Sequence, residues 1–277
     1  MRRIGVVFVL LATVAAACGS NGGFARDYPR GSDELVLRVD LQGGFVPQEY
    51  LLASFPGFSL YGDGRILTQG PQIEIYPGPA LPNVLVRQVR ARAIERIVAA
   101  AVEAALDANA RYDNASVADA GTTVFTLTVD GKTYTTSVYA LGIEGTGVAN
   151  PDDEAARRKI ADFSQDLSDL PSWIPADELG EEESYELDAL RVFVRPYSDE
   201  GIDEQLVQVP KDWPLEDKPL ATFGERGEFA RCGTVTGADA QRVVAAAREA
   251  NDLTPWISGG EEWRLIFRPL LPDESAC

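Results

Sequence analysis

The sequence predicts an α+β fold made of two mainly antiparallel sheet-plus-helix modules. Short segments with alternating apolar residues are joined by tight-turn residues, as in antiparallel hairpins. Longer segments with apolar residues at helical spacing lie between these strand segments. Residues 171–186, which contain two prolines and a run of glutamates, interrupt the periodicity and separate the two modules.

The first module is predicted to begin with strands and tight turns. Apolar and polar residues alternate over 35–41, which is typical of a half-buried strand. Further strands are predicted at 50–55 and 58–61. The sequence Gly62-Asp63-Gly64 can adopt the positive φ angles of a hairpin turn, and it leads into a strand at 65–67.

The rest of the first module is predicted to contain two helices and a hairpin. A proline-rich loop at 76–82 precedes a helix over about 87–108, whose apolar residues recur at helical spacing. Asp130-Gly131 is the strongest turn sequence in the chain and joins two strands within 122–140. Asn150, followed by a proline and two aspartates, predicts the start of the second helix.

The second module shows a similar order of elements. A strand is predicted at 187–194, a hairpin around 224–227 and a closing strand at 263–267. Thr236 and Asp239 resemble a capping box that opens a helix. Both modules run from a hairpin through an Ala/Val-rich helix to an alternating strand. A degenerate duplication is therefore a hypothesis, and chance recurrence of common turn residues is the alternative.

Residues 1–18 are typical of a bacterial export leader. Two arginines precede an uncharged stretch at 4–17, which is too short to span a bilayer, since that takes about 20 residues. Three alanines before Cys18 resemble a lipobox, although that family usually has Leu at the position of Ala15. The resemblance implies removal of residues 1–17 and acylation of Cys18. Cleavage after Ala17 as in an ordinary secretory signal is the alternative.

These features predict how the chain is organised and where it is located. Residues 1–17 form the signal peptide and 18–33 a flexible tether. An N-terminal α+β domain spans 34–175, and a C-terminal α+β domain spans 176–277. The protein is expected on the outer face of the cytoplasmic membrane, anchored through Cys18, or is secreted if the alternative cleavage applies.

The charge of the chain restricts its partners. The 25 basic and 43 acidic residues give a net charge of −18, and loss of Arg2 and Arg3 with the leader leaves 23 basic residues and a net charge of −20. Such a surface repels nucleic-acid phosphates and anionic lipid headgroups, so no nucleic-acid partner is expected. Acyl chains rather than a basic patch would then provide the membrane contact.

The chain contains no histidine, which excludes catalytic triads with histidine and histidine-ligated zinc. Only four lysines occur, and none follows a serine at Ser-x-x-Lys spacing. Paired carboxylates remain as an enzymatic option, but the sequence identifies no such pair. We therefore assign no catalytic residue, metal ligand or cofactor, and an enzymatic function is disfavoured.

Cys232 and Cys277 are the two cysteines that remain if Cys18 carries lipid. In an oxidising compartment such a pair can form a disulfide. Closing a loop of this length would stabilise the fold by about 4 kcal/mol on chain-entropy grounds. Two free thiols are the alternative, and a metal site is a weaker one.

Three segments carry a family resemblance: SFPGFSLYGDGRI at 54–66, CGTVTGADAQRVVAAAREANDLTPW at 232–256 and WRLIFRPLLPDESAC at 263–277. They resemble secreted proteins and lipoproteins of high-GC Gram-positive bacteria, and the resemblance covers most of the chain after the tether. It implies secretion, an α+β body and pairing of Cys232 with Cys277. It implies no activity, because the family has no assigned catalytic residue.

Tryptophans and acidic turns are the remaining candidates for a site. Trp173, Trp213 and Trp256 each lie near a proline and could line a sugar- or peptide-binding surface, while packing in a core or a domain interface is the simpler interpretation. Asp63 in Gly-Asp-Gly is typical of a hairpin tip. The acidic segment 199–204 lacks the spacing of an EF-hand calcium loop.

The sequence thus predicts a non-catalytic, lipid-anchored envelope protein that binds a protein or an envelope polymer. An envelope hydrolase with paired carboxylates is the alternative. A cleft lined by two carboxylates would favour the hydrolase. An exposed apolar patch without a deep pocket would favour the binding protein.

Overall fold

The computed structural model describes residues 26–143 and 150–277. These residues form an α+β fold with one sheet of eight strands and one of six, as the sequence predicts. Antiparallel pairing dominates both sheets. No helix within these two ranges is long and apolar enough to cross a membrane.

The first sheet has the strand order β5-β7-β6-β1-β2-β3-β4-β8, and every neighbouring pair is antiparallel except β5 and β7. Its strands are β1 (Leu35–Gly43), β2 (Phe58–Tyr61), β3 (Arg65–Gln69), β4 (Val84–Val89), β5 (Ala110–Tyr112), β6 (Gly121–Val129), β7 (Lys132–Tyr139) and β8 (Leu179–Ser184).

The second sheet has the order β10-β13-β14-β9-β12-β11, again antiparallel except for the pair β10 and β13. Its strands are β9 (Ala189–Pro196), β10 (Lys211–Asp212), β11 (Glu225–Arg226), β12 (Arg231–Thr236), β13 (Pro255–Ser258) and β14 (Glu261–Pro269). The α-helices are α1 (Gln48–Ala53), α2 (Ala91–Glu103), α3 (Pro151–Ser168) and α4 (Gly237–Ala247).

The hairpin β2–β3 is buried on both faces and belongs to two hydrophobic cores. Leu60 and Ile66 lie in the first core with the apolar faces of α2 and α3. Tyr61 and Leu67 lie in the second core, which also contains the apolar face of α4 and the inner residues of β9 and β14. The second core is therefore built from residues on both sides of the predicted domain boundary.

The boundary at 175/176 also separates strands of one sheet. β8 lies after the boundary, yet it pairs with β4 and completes the first sheet. The sheets thus divide between residues 184 and 189, and the division into two separately folding domains stays a prediction.

Two elements of the first half differ from the sequence prediction. Residues 50–55, predicted as a strand, lie mainly in helix α1, and pairing with β1 begins only at Phe58. Gln, Glu, Leu and Ala in α1 favour a helix. The helix predicted at 87–108 is shorter, since residues 84–89 form β4 between β3 and β8, and α2 covers only 91–103.

Of the predicted helix starts and turns, one helix cap is confirmed, one capping box is wrong and one hairpin turn is displaced. The Asn150 side chain accepts a hydrogen bond from the backbone N–H of Asp152 at 3.1 Å, which confirms the predicted cap of α3. Thr236 makes no such bond at α4, and Asp239 instead pairs with Lys218 and Arg242, so the capping-box prediction is wrong. The predicted hairpin at 224–227 turns later, through residues 227–230.

The predicted tether is too long at its C-terminal end. Arg26 forms ion pairs of 2.5 Å with Asp107 and Asp130. Tyr28 is 4% exposed and packs in the first core, and the Arg30 guanidinium lies 3.7 Å above its ring centroid. The chain is therefore attached to the body from Arg26 onward.

The two sheets do not share one topology, which weakens the duplication hypothesis. In the first sheet, the hairpin β6–β7 follows the helix α2 and joins the central strand β1 through its first strand. In the second sheet, the hairpin β13–β14 follows α4 and joins the central strand β9 through its second strand. The similarity of the two halves is therefore limited to the order of their elements.

The segment 270–277 connects the two sheets through consecutive acidic residues. Arg38 Nη2 and Tyr61 Oη, both from the first sheet, donate to Asp273 Oδ1 at 2.7 and 2.9 Å. Arg268 of β14 donates two parallel hydrogen bonds to Glu274 at 2.6 and 2.7 Å. All four ion-pair side chains are less than 20% exposed. We call residues 270–277 the C-terminal clamp.

The disulfide fixes the end of this clamp. Cys277 is bonded to Cys232 of β12, with a Cα–Cα distance of 5.7 Å and a sequence separation of 45 residues. The pairing of these cysteines is thus confirmed, and it ties the clamp to the second sheet beside the edge strand β11.

Gly64 allows a close approach that no other residue could make. Its φ is +88°, and a Cβ atom there would lie 2.4 Å from the carbonyl oxygen of Val89. Gly131, at the tip of the β6–β7 hairpin, has φ +69° but open space around it.

We expect Gly64→Ala to destabilise the fold by at least about 1 kcal/mol more than Gly131→Ala, because only Gly64 adds a steric clash to the cost of left-handed backbone, about 1–2 kcal/mol. Urea denaturation of the two variants measures the difference. Equal losses would show that the Gly64 contact relaxes at no cost.

We also expect a pH-dependent contribution from Glu274. Burial alone would raise the pKa of Glu274, but the hydrogen bonds from Arg268 outweigh it and hold the pKa below its usual value. Such a carboxylate stabilises the fold above its unfolded-state pKa, and this stability is lost as the pH falls through the folded-state pKa. Glu274→Gln should therefore lower the free energy of unfolding by about 1–3 kcal/mol at neutral pH, and by much less at about pH 3.

The control for this measurement is Glu181→Gln, which alters an exposed glutamate of β8 without an ion pair to any described residue. Urea denaturation at both pH values should leave this variant close to wild type. A Glu274→Gln loss that is the same at both pH values would contradict the assignment to the ionised carboxylate.

Candidate ligand-binding cleft

One wall of a cleft between the two sheets is built by α1 and the loop before it. β1 continues past the start of β2, so residues 40–43 pair only with β6 and the chain then crosses toward β14. α1 is held there by the Glu49–Arg195 ion pair and by a 2.7 Å hydrogen bond from Arg268 Nε to the carbonyl oxygen of Ser54. None of the side chains of α1 is buried.

The opposite wall is the proline-rich loop after β3, which has no regular secondary structure, as predicted. Its base closes through a 2.9 Å hydrogen bond from Gly70 N to Asn83 O. Its far end is attached to the second half, since Asp252 N donates to Gly78 O at 2.9 Å and Ala80 N donates to Ala250 O at 3.2 Å. The loop therefore spans both halves of the fold.

Between these walls lies an open cleft of about 610 Å³, whose floor is formed by β14. This volume is in the range of small-molecule sites, about 300–1,000 Å³. Its lining is mainly apolar, with few charged groups. The apolar side chains are those of Leu41, Pro47, Ala53, Phe55, Pro79, Ala80, Pro82, Leu265, Ile266 and Phe267.

Exposed apolar side chains are concentrated on the two segments that border the cleft. Twelve large apolar side chains are exposed among residues 26–143 and 150–277, and eight of them lie in 41–51 or 73–76. These eight are Leu41, Phe45, Val46, Tyr50, Leu51, Ile73, Ile75 and Tyr76. Such clustering is typical of a binding surface rather than of scattered surface residues.

Glu49, Asp252 and Arg264 are the charged residues that line the cleft, and Arg195 lies next to Glu49 and Arg264. Arg195 and Arg264 lie directly opposite each other on the antiparallel strands β9 and β14. Glu49 neutralises Arg195, and its pKa is lowered by a hydrogen bond from its own backbone N–H and by Arg195. Asp252 lies at the exposed mouth, where partial desolvation raises its pKa and Arg264 partly offsets this effect.

The tryptophans predicted as a candidate binding surface do not form one. Trp213 and Trp256 are 4% and 1% exposed and lie in the second core, where they pack edge to face at 6.3 Å between ring centroids. Trp173 packs against the first core and donates a 2.7 Å hydrogen bond from its indole N–H to Asp166 O. All three tryptophans pack in or against the two cores, as in the simpler of the two interpretations of the sequence.

The acidic turns have structural roles. Asp63 accepts hydrogen bonds from the backbone N–H and the Nε of Arg65 at 3.1 and 2.7 Å, which stabilises the β2–β3 turn. Within 199–204, Asp203 accepts a 2.9 Å hydrogen bond from Gln205 N. No group of three potential metal ligands occurs in the described parts of the chain. Cys18, the predicted lipidation site, lies outside the described residues.

Sequence patterns did not identify the charged residues of the cleft. Glu49, Arg195 and Arg264 belong to three separate segments, and only the pairing of β9 with β14 and the return of α1 bring them together. A signal was present in the apolar residues of Phe45-Val46 and of Ile73 to Tyr76, which occur in segments rich in glycine and proline where no core element is expected.

Comparisons with protein-family models, with curated proteins and with solved structures find no match to this chain. The resemblance to secreted proteins and lipoproteins of high-GC Gram-positive bacteria therefore stays a prediction.

Proposed function

We propose that this chain is a lipid-anchored envelope protein whose cleft between the two sheets binds an apolar ligand without catalysis. The observation that carries the proposal is the apolar cleft of about 610 Å³ with exposed apolar side chains on both walls. Leu41 and Tyr50, which line the cleft and are 55% and 57% exposed, cost free energy in water unless a partner covers them.

The position of the cleft relative to the N-terminus supports a role away from the membrane. Arg26 and Asp27 bond to Asp130 at the β6–β7 turn, beside the start of β1. The cleft lies at the other end of β1, a strand of nine residues or roughly 27 Å. An anchor at Cys18 would thus place the cleft on the side of the body that faces away from the lipid.

A hydrolase is the second candidate, and one observation favours it. Glu49 and Asp252 line the same cleft, and their environments shift their pKa values in opposite directions. Opposite pKa shifts of this kind allow one carboxyl group to act as an acid while the other acts as a carboxylate. Against it, Glu49 is already engaged by Arg195, so its carboxylate is not free to attack a substrate.

The lipid anchor is tested by intact mass spectrometry on protein from the membrane fraction of an actinobacterial host. We expect a chain that starts at Cys18 with added acyl mass, and a gain of about 2 Da on reduction of the Cys232–Cys277 disulfide. The Cys18→Ala variant should lose the acyl mass. An unacylated wild-type chain in the medium would show that the protein is secreted instead.

The cleft is tested with N-phenyl-1-naphthylamine, an uncharged apolar fluorophore. Ala53 lines the cleft from α1, so Ala53→Trp should fill part of it and weaken probe binding by about tenfold. Ala91→Trp adds the same side chain at an exposed position of α2 and should bind like wild type. Fluorescence titration gives the dissociation constants.

Equal binding by both variants would contradict a ligand site in the cleft. Turnover would favour the hydrolase: envelope polysaccharide should then be cleaved by wild type, and Asp252→Asn should stop cleavage while leaving probe binding intact.

A further inference from the structure

Among the described residues, Arg264 lines a mainly apolar cleft without a hydrogen bond or an ion pair of its own. Its side chain is half-buried and lines the cleft. Its guanidinium makes no hydrogen bond or ion pair with any residue of 26–143 or 150–277. Glu49 and Asp252 act on it only at longer range. A charge in apolar surroundings is costly unless it is paired, so this position favours a bound anion.

The neighbour of Arg264 increases this preference. Arg195 lies directly opposite it across the β9–β14 pair, and like charges in that position destabilise a sheet. Glu49 compensates Arg195 alone. With Asp252 at the mouth of the cleft, the two arginines and the two carboxylates balance, but among the described residues Arg264 is the one of the two arginines without an ion pair.

The surroundings restrict the anion to one that carries a long apolar part. Most side chains of the lining are apolar, and Tyr50, Ser54, Gln69 and Gln72 add uncharged polar groups. The apolar majority favours an acyl chain over a peptide, because the backbone amides of a peptide would need more hydrogen-bond partners than these four side chains supply. The chain as a whole carries a net charge of −18, which repels polyanions.

We propose that the ligand is a long-chain fatty acid whose carboxylate pairs with Arg264 while its acyl chain lies along the apolar cleft. This inference rests on the proposed function, because it names the ligand class of the same cleft. Arginine suits this role because its planar guanidinium can bind a carboxylate through two parallel hydrogen bonds.

The test compares cis-parinaric acid, a fluorescent long-chain carboxylate, with its methyl ester, which has the same acyl chain without the charge. Wild type and variants are expressed and purified in the same way, so the segment before Arg26 is the same in every sample. We expect the wild type to bind the acid about tenfold or more tightly than the ester. Arg264→Gln should remove this difference between acid and ester.

The matched control is Arg92→Gln. Arg92 is an exposed arginine of α2 that also lacks an ion pair to the described residues, and it does not line the cleft. This variant should keep the preference for the acid, and Arg264→Lys, which keeps the charge, should keep part of it. Thermal melts of each variant show that the fold is intact.

Equal binding of acid and ester by the wild type would overturn the fatty-acid assignment and leave an apolar cleft as the proposed function describes. A preference that persists in Arg264→Gln would place the carboxylate elsewhere and also overturn it. Failure of both probes to bind, or a dimer in sedimentation that seals the cleft against them, would overturn the proposed function as well.

Discussion

The burial of the hairpin β2–β3 on both faces is the constraint on which the rest of the fold depends. Leu60 and Ile66 pack against the helices of the first half, whereas Tyr61 and Leu67 pack into the core of the second half. Alternate residues of four- and five-residue strands thus serve two cores. Because the second core needs both sheets, the sheets are held at a fixed separation, and the cleft at the end of β1 follows from this arrangement.

Arginines at the junction of the sheets give an acidic protein a locally basic centre. Arg38, Arg191, Arg195, Arg264 and Arg268 all lie on β1, β9 or β14. Asp273 and Glu274 of the C-terminal clamp and Glu49 of α1 neutralise most of this charge. The clamp therefore serves electrostatics as well as packing, and Arg264 is the member of the group that the described residues leave without an ion pair.

Local patterns predicted the local structure well, and the candidate site poorly. The turn at Gly62-Asp63-Gly64, the hairpin at Asp130-Gly131 and the cap at Asn150 depend on residues within a few positions of each other, so the sequence could identify them. The strand predicted at 50–55 is wrong, because its short apolar run suits a strand as well as a helix and only the tertiary structure decides between them. The cleft could not be predicted either, because its charged residues meet only through pairing of distant strands. The tryptophans lie near prolines, yet only the tertiary structure shows that they are core residues.

The weak attachment of α1 has a consequence for the mobility of this wall of the cleft. With no buried side chain, the helix is held to the second sheet mainly by one ion pair and one hydrogen bond to Ser54. Segments of this kind open locally at a small fraction of the free energy needed for global unfolding. The wall can therefore move aside while both cores stay intact, and because an ion pair holds it, this motion depends on ionic strength.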